Sequence, residues 1–419
     1  MSKRNHAFSE NIYWIFTLFG TAVGAGILFL PIQAGISGMF WVLVVSLFIY
    51  PITFFSHKLF AGIMLKTKQP RDFTGAVSEF LGSKFGLLNN ILYFLLMFIA
   101  LIAYSTGLNN DLGEFLFDKG GFQINPGDTP YLSLAFIFLF LLLLKFGKKL
   151  ILKIAGVLSL VMIVFLLVIS VSLIDMWDLR SISLFSNPKI SFSHFLLFFP
   201  VLVTSFLFYP SISSMVINFR KAQADDARTA SRIRRILLWC TVFLIFFTMF
   251  FVFSCLLSIP YKDFKQALQE NISVLSLLSM KGQKAFLSDI EPLVSIFALS
   301  TSFIGVSFGL RDSGIELLKR IRSGKENKPF LSDAGMETIV FIVAGFPLWL
   351  FTIANFSVLD IFGGFVAPLS AVFLFLLPVI IFYRIRGFER NEKYQAMLVF
   401  VVGVMLLFSY MLGKLMGIM

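Results

Sequence analysis

Gly20-Thr21-Ala22-Val23-Gly24-Ala25-Gly26-Ile27-Leu28-Phe29-Leu30-Pro31 lies inside an apolar run that extends from Ile12 to about Gly35. The run is long enough to cross a bilayer, since about 20 apolar residues suffice. Its centre is nonetheless a poor helix. Glycine costs roughly 1 kcal/mol against alanine in a helix interior, and three glycines fall between Gly20 and Gly26. Pro31 removes one further backbone hydrogen bond. Broken backbone at membrane depth is tolerated only where protein or water covers it. The stretch therefore predicts a span that opens onto a cavity. Its freed N–H groups, near Gly24, Ala25 and Gly26, could hold an anion such as a carboxylate. Close helix packing through small residues is the other use of such a stretch.

The rest of the chain reads as membrane protein. Of 419 residues, 58% are hydrophobic and only 14% charged, so spans replace domains as the unit of counting. Eleven apolar spans are predicted, at about 12–35, 39–64, 88–109, 131–146, 150–174, 195–217, 236–259, 292–310, 338–355, 358–382 and 395–415. Cys240 and Cys255 lie in one span, about 22 Å apart along a helix, and cannot bridge each other. The chain carries no HExxH, CxxC or P-loop pattern, so neither a cofactor nor a metal is expected and no catalytic pair points to an enzyme.

Orientation follows from Lys and Arg. With the N-terminus in the cytoplasm, 27 of the 35 basic residues fall on the cytoplasmic side, in segments such as Arg220–Arg235 and Arg311–Lys328. An odd number of spans then places the C-terminus outside the cytoplasm. The net charge of +12 faces the anionic lipid of the inner leaflet and gives no reason to expect nucleic acid as a partner. Two cytoplasmic segments, Asp225–Arg235 and Gly314–Arg322, read as helical. So does the outer loop Tyr261–Glu291, where Phe264, Leu268, Ile272 and Leu275 have helical spacing and predict a helix along the membrane surface.

A second interruption lies in the sixth span, Phe198-Phe199-Pro200-Val201-Leu202-Val203-Thr204-Ser205-Phe206-Leu207-Phe208-Tyr209-Pro210-Ser211-Ile212-Ser213-Ser214. Pro210 should break it about midway, and the hydroxyls around it can satisfy freed backbone groups. Five spans separate the two breaks, and a repeat with an odd number of spans inserts upside down relative to its copy. Interrupted helices at matching positions in inverted halves mark the central site of a transporter. The predicted fold class is therefore an all-α integral membrane protein with discontinuous helices 1 and 6. Its organisation is a first repeat over 1–174, a second over 195–382 and an additional helix within 383–419.

The first-span stretch resembles the first helix of the hydroxy and aromatic amino acid permeases, in the amino acid–polyamine–organocation superfamily. The resemblance continues through Pro51-Ile52-Thr53-Phe54-Phe55-Ser56-His57, Pro200-Val201, Thr301-Ser302-Phe303-Ile304-Gly305 and Ala367-Pro368, and covers nearly the whole chain. It is nearest to the serine/threonine–proton symporter branch. It implies a five-plus-five inverted repeat with an eleventh helix, secondary active transport of an amino acid, and the cell inner membrane as the location. Members of that branch carry Asn-His-Ser before the sixth-helix proline, where this chain has Leu207-Phe208-Tyr209. Fewer polar groups and more rings favour a larger, less polar substrate, because missing hydrogen-bond partners discriminate against a polar one.

Within that resemblance, a zwitterion needs donors for its carboxylate and acceptors for its ammonium. The N–H groups of Gly24, Ala25 and Gly26 would supply the donors. Carbonyls near Thr21, Ala22, Ser205 and Phe206 would supply the acceptors. Phe208 and Tyr209 would line the side-chain pocket and Tyr104 would close it from outside. For ion coupling, the resemblance implies Ser300, Thr301 and Ser302 in a sodium-driven carrier or a lysine of the fifth span, Lys153, in a proton-driven one. Asp360 is a further ionisable residue that opens a span. Proton coupling is the leading expectation; sodium coupling, or a transporter-like amino acid sensor, is the alternative.

Overall fold

The computed structural model describes residues 2–118, 130–145, 148–178, 192–222, 226–270, 273–280, 285–322, 332–356, 358–385 and 390–415. Among these every regular element is a helix. The first span is two helices, α1 (Ser2–Ala22) and α2 (Ala25–Ser37), followed by α3 (Met39–Leu65). A short α4 (Phe73–Leu81) precedes the long α5 (Ser83–Asp118), then α6 (Pro130–Lys145) and α7 (Lys148–Ser172). The sixth span is again divided, into α8 (Phe192–Thr204) and α9 (Tyr209–Ala222). After it come α10 (Asp226–Ser258), two short helices α11 (Tyr261–Glu270) and α12 (Val274–Met280), then α13 (Ala285–Arg322) and α14 (Asp333–Ile353). The tenth span runs from α15 (Val358–Ile361) through α16 (Ala367–Ser370) to α17 (Leu377–Arg384), and the last helix is α18 (Arg390–Leu415).

Nine of these segments are long and apolar enough to cross a membrane, and the pair α1–α2, bent by 53°, makes a tenth. The shorter apolar helix α6 falls where the fourth of the eleven predicted spans was placed. Several helices, α5 and α13 among them, overshoot the apolar cores. Both segments read as cytoplasmic helices prove to be extensions of spans, one into α10 and one out of α13.

Two tight connections depend on backbone sign. Gly38, between α2 and α3, has φ +89°, a region that costs glycine little and other residues much. Asn355 ends the ninth span with φ +52°, the conformation asparagine tolerates best among non-glycines.

Both prolines expected to break helices do less than that. Pro31 lies inside α2, which continues through it. Pro210 occupies the first turn of α9, where its missing N–H leaves no bond unmade. The breaks lie just ahead of each, at Val23–Gly24 and at Ser205–Phe208. The tenth span holds a third irregularity absent from the sequence reading. Phe362–Val366 and Ala371–Leu376 are wound as π-helix on either side of α16, and such turns recur at functional sites.

Helices α11 and α12 differ from expectation too. Phe264 and Leu275 are buried, 2% and 1% exposed, and the Phe264 ring lies against Gly35. Phe264 thus packs α11 on α2, while Leu268 is 42% exposed; Ile272 is outside the described residues. At the centre, α13 packs along α5 and α9, and α1 packs against α7, α10 and α13.

Candidate functional site

At the first break α1 ends with its carbonyls directed towards α13. Ser302 Oγ donates to the carbonyls of Gly20 and Thr21, at 3.1 and 3.2 Å. Gly24 is extended, with φ −116° and ψ −148°. Its N–H turns back to the Ala22 carbonyl at 2.9 Å, and its carbonyl accepts from the Ile27 N–H at 3.1 Å. The opening N–H groups of α2, those of Ala25 and Gly26, have no intrahelical acceptor, as at any helix start.

At the second break α8 unwinds through shortened turns. The Phe206 N–H reaches the Val203 carbonyl and the Leu207 N–H reaches that of Thr204, at 3.2 and 3.3 Å. The Phe208 N–H leaves the helix and donates to His57 Nε2 of α3 at 3.1 Å. The two breaks face each other: a Cβ placed on Gly26 would stand 2.9 Å from Ser205 Oγ.

Between the breaks lies a cavity of about 310 Å³, at the lower end of the roughly 300–1,000 Å³ usual for small-molecule sites. Its lining is mainly apolar, with Phe29, Leu96, Met97, Val201, Leu207 and Phe362 among the contributors. The few polar groups are Thr21, Gln33, Tyr104, Thr204, Ser205, Tyr209, Ser370 and Tyr410. Tyr209 is held by a 3.0 Å hydrogen bond between its hydroxyl and that of Ser370. Tyr104 packs edge-on against Phe362 with ring centres 5.2 Å apart.

A polar layer sits below the cavity, towards the side assigned to the cytoplasm. Thr21 and Ser211 bring their hydroxyls to 2.8 Å, and Ser211 Oγ donates to the Gly305 carbonyl at 3.0 Å. Deeper, Arg311 Nη2 donates to Asp312 Oδ1 at 2.8 Å and to Ser214 Oγ at 2.9 Å, while Ser214 Oγ donates to Asp312 Oδ2 at 2.5 Å. Arg311 and Asp312 are 3% and 8% exposed, so this bond set ties α9 to α13 away from water. Asp72, the N-cap of α4, is buried nearby and accepts from the Gly75 N–H at 2.8 Å and from Thr74 Oγ1 at 2.6 Å. Burial, with the negative charges of Glu316 and Asp312 adding to it, raises its carboxyl to about 7.

The structure gathers Thr21, Ala22, Gly26, Tyr104, Ser205 and Tyr209 around the cavity. Gly24 lies beside Ser302 and Tyr104, and Ala25 begins α2, its side chain outside the described residues. Phe206 and Phe208 do not line the cavity. Phe206 is fully buried, and Phe208 is turned back so that its ring stacks on His57 at 3.8 Å. Ser300 is buried, and Thr301 Oγ1 donates to carbonyls of its own helix, those of Phe297 and Ala298. Lys153 stands exposed near the start of α7. The α7 residue that meets the first break is Ser159, whose hydroxyl abuts Gly20. Asp360 lies on α15, and its side chain is outside the described residues.

Sequence reading missed Gln33, Thr204, Ser370, Tyr410 and the tenth-span wall. Gly363-Gly364 and Pro368 were the available signal for that wall, because they weaken helix in the middle of a span.

Comparisons with known proteins place the chain in a family. Residues 11–416 match the family model described as the tryptophan/tyrosine permease family. The chain is 30% identical over 398 residues to the serine transporter SdaC of Escherichia coli K12, covering 93% of this chain and 91% of that one. It is 29% identical over 407 residues to the inner membrane transport protein YqeG of the same strain, covering 94% and 96%. Among solved structures it is similar to MhsT in complex with L-phenylalanine, with a TM-score of 0.60, 15% identity and coverage of 96% and 98%. The last likeness shows a shared fold. The family match spans nearly all of the chain, which therefore belongs to the tryptophan/tyrosine permease family and is a multi-pass amino acid transporter.

Proposed function

We propose that the chain is a proton-coupled symporter that carries an aromatic amino acid into the cytoplasm by alternating access. One observation carries this reading. Two helix breaks face each other across a cavity that is polar at the breaks and apolar beyond them. The N–H groups of Ala25 and Gly26 would take the carboxylate. The carbonyl end at Thr21 and Ala22, with that at Ser205, would take the ammonium. The side chain would lie among Leu207, Tyr209, Met97 and Phe362. A serine would leave most of that apolar lining unfilled. Serine remains a test substrate because the name of the relative SdaC carries it.

The chain would insert with its N-terminus in the cytoplasm of a bacterial inner membrane, as the sorting of Lys and Arg indicates. Its two inverted repeats would span 1–174 and 195–382, followed by a further helix within 383–419. Release inwards requires α9 to part from α13, and the Arg311–Asp312–Ser214 contacts are what must open.

Sodium coupling has one observation in its favour. Ser302, Thr301 and the carbonyls of Gly20 and Thr21 bring several oxygens to one place beside the first break, and oxygen ligands suit a hard cation. The deciding experiment is uptake of labelled serine, threonine, tyrosine and tryptophan into proteoliposomes, with proton and sodium gradients imposed separately. Accumulation of an aromatic substrate driven by a proton gradient alone is expected. Accumulation driven only by sodium, or of serine alone, would overturn the finer reading.

A further inference from the structure

The second break poses a bonding problem that the cavity residues do not solve. In an unbroken helix the Phe208 N–H would donate to the Thr204 carbonyl. That carbonyl accepts from Leu207 instead, at 3.3 Å. Phe208 is fully buried, and an N–H left unbonded there is costly because no water replaces the lost acceptor.

His57 of α3 supplies the acceptor. Its Nδ1 lies 2.7 Å from the Thr53 carbonyl, which can only accept, so Nδ1 carries the proton. Its Nε2 lies 3.1 Å from the Phe208 N–H, which can only donate, so Nε2 offers a lone pair. The two partners fix one neutral tautomer without reference to anything else. Ser56 Oγ stands 3.2 Å from Nδ1, on the same side as Thr53. The ring is fully buried and lies over the Phe208 ring at 22° and 3.8 Å.

We infer that His57 is the positioning residue of the sixth-span break: its Nε2 lone pair holds the Phe208 N–H out of helical register, which turns Leu207 and Tyr209 into the cavity. His57 does not line the cavity itself. It acts through the backbone, by making the unwound conformation the one in which the buried Phe208 N–H is satisfied. The same contact explains why Phe208 faces α3 and its two neighbours face the cavity. The inference rests on the reading of that cavity as the substrate site.

Asparagine and glutamine separate the two ring nitrogens. Asparagine places its polar group near the Nδ1 position and cannot reach Phe208. Glutamine reaches the Nε2 position and offers a carbonyl oxygen to the N–H. Both lose the ring stack, so packing is matched between them. The experiment compares wild type, His57→Asn and His57→Gln in proteoliposomes for KM and maximal rate with the amino acid the wild type accumulates. Backbone hydrogen exchange over 203–211 is measured on the same purified proteins.

His57→Asn should raise KM about tenfold, the factor expected from one unpaired buried donor, and speed exchange at Phe208. His57→Gln should stay within about threefold of wild type in KM and keep Phe208 protected. Equal KM values in the two variants, or Phe208 exchange unchanged in His57→Asn, would overturn the inference even if uptake is lost in both. A wild-type protein that accumulates none of the amino acids would instead count against the site reading, and the exchange comparison would still decide the role of His57.

Discussion

A single methyl group at Gly305 should disable transport, and the structure says by how much. Gly305 lies on α13 where it crosses α1, and an alanine Cβ there would overlap Thr21 Oγ1 and stand 2.6 Å from both Cβ and Cγ2 of the same residue. Ordinary van der Waals contact begins at 3.4 Å, so those two carbons alone require the helices to part by about 0.8 Å, and Oγ1 requires more. Neither contact is the end of a flexible side chain. Both belong to a β-branched residue with little freedom at χ1. Overpacking of this kind costs roughly 1–3 kcal/mol. The displaced element carries the Thr21 and Ala22 carbonyls and leads into the first break. Errors of about 1 Å in a positioned site cost up to about 100-fold in rate. Gly305→Ala should therefore insert and fold, lose a few degrees in thermal midpoint in detergent, and fall at least tenfold in the ratio of maximal rate to KM. Combining it with Thr21→Gly removes the clashing side chain and should restore part of the loss, giving a coupling of opposite sign to the single effects. Uptake equal to wild type in Gly305→Ala would refute the packing of α1 on α13 on which the site depends. Additivity of the two substitutions would do the same.

Gly24→Leu should abolish uptake while the protein still inserts, because even a Cβ there meets Ser302 Oγ at 2.5 Å and the Tyr104 ring at 2.8 Å; retained uptake would count against the site. Arg311→Met should lower the thermal midpoint strongly, since breaking a buried ion pair costs about 3–5 kcal/mol by leaving Asp312 without its guanidinium. Adding Asp312→Asn should recover part of that loss. Asp72 gives a pH signature. Its carboxyl ordinarily titrates at 3.8 and is raised to about 7 by burial, with Glu316 and Asp312 adding to it. The folded state thus holds this proton more tightly than the unfolded one. The stabilisation is full below about pH 4 and is lost as pH rises through about 7, a change of about 4 kcal/mol for a shift of about three units. Asp72→Asn keeps the N-cap and should melt higher than wild type at pH 8, with the gap closing towards pH 4. A constant gap across that range would show that burial does not act on this group.

Much of the fold was legible because a bilayer admits few backbone arrangements. Each of the eleven apolar runs corresponds to a helical segment, and the glycine cluster at Gly20–Gly26 does mark a break. The position of each break was less legible. Pro31 and Pro210 suggested where hydrogen bonds go missing, yet α2 continues through Pro31, Pro210 sits in a first helical turn where its missing N–H removes nothing, and the chain unwinds ahead of each. Side-chain direction was the least legible. Within the unwound segment no periodicity assigns a face, so Phe208 could not be told from Leu207 and Tyr209. Its direction is set by His57, 151 residues away in sequence. The tenth-span wall was hidden for a related reason, since a span apolar nearly all round shows no periodicity for a π-turn to shift.

The choice between protons and sodium turns on the same limit. A lysine in the fifth span was a reasonable expectation for a proton-driven carrier, but α7 turns Lys153 outwards and presents Ser159 to Gly20. The residues beside the first break are therefore hydroxyls: Ser159 donates to the Ala155 carbonyl, Thr301 to its own helix, and Ser302 across to α1. None of these groups changes charge between pH 5 and 8, so none can carry the proton. A proton-driven cycle must then use a group at some distance from the first break, and Asp72, whose carboxyl burial raises, lies next to Phe73, which donates to Ser213 of α9. Were Asp72 that group, Asp72→Asn would still exchange substrate across the membrane in both directions and would no longer accumulate it against a gradient. Accumulation at the wild-type level in Asp72→Asn, with sodium absent, would exclude it.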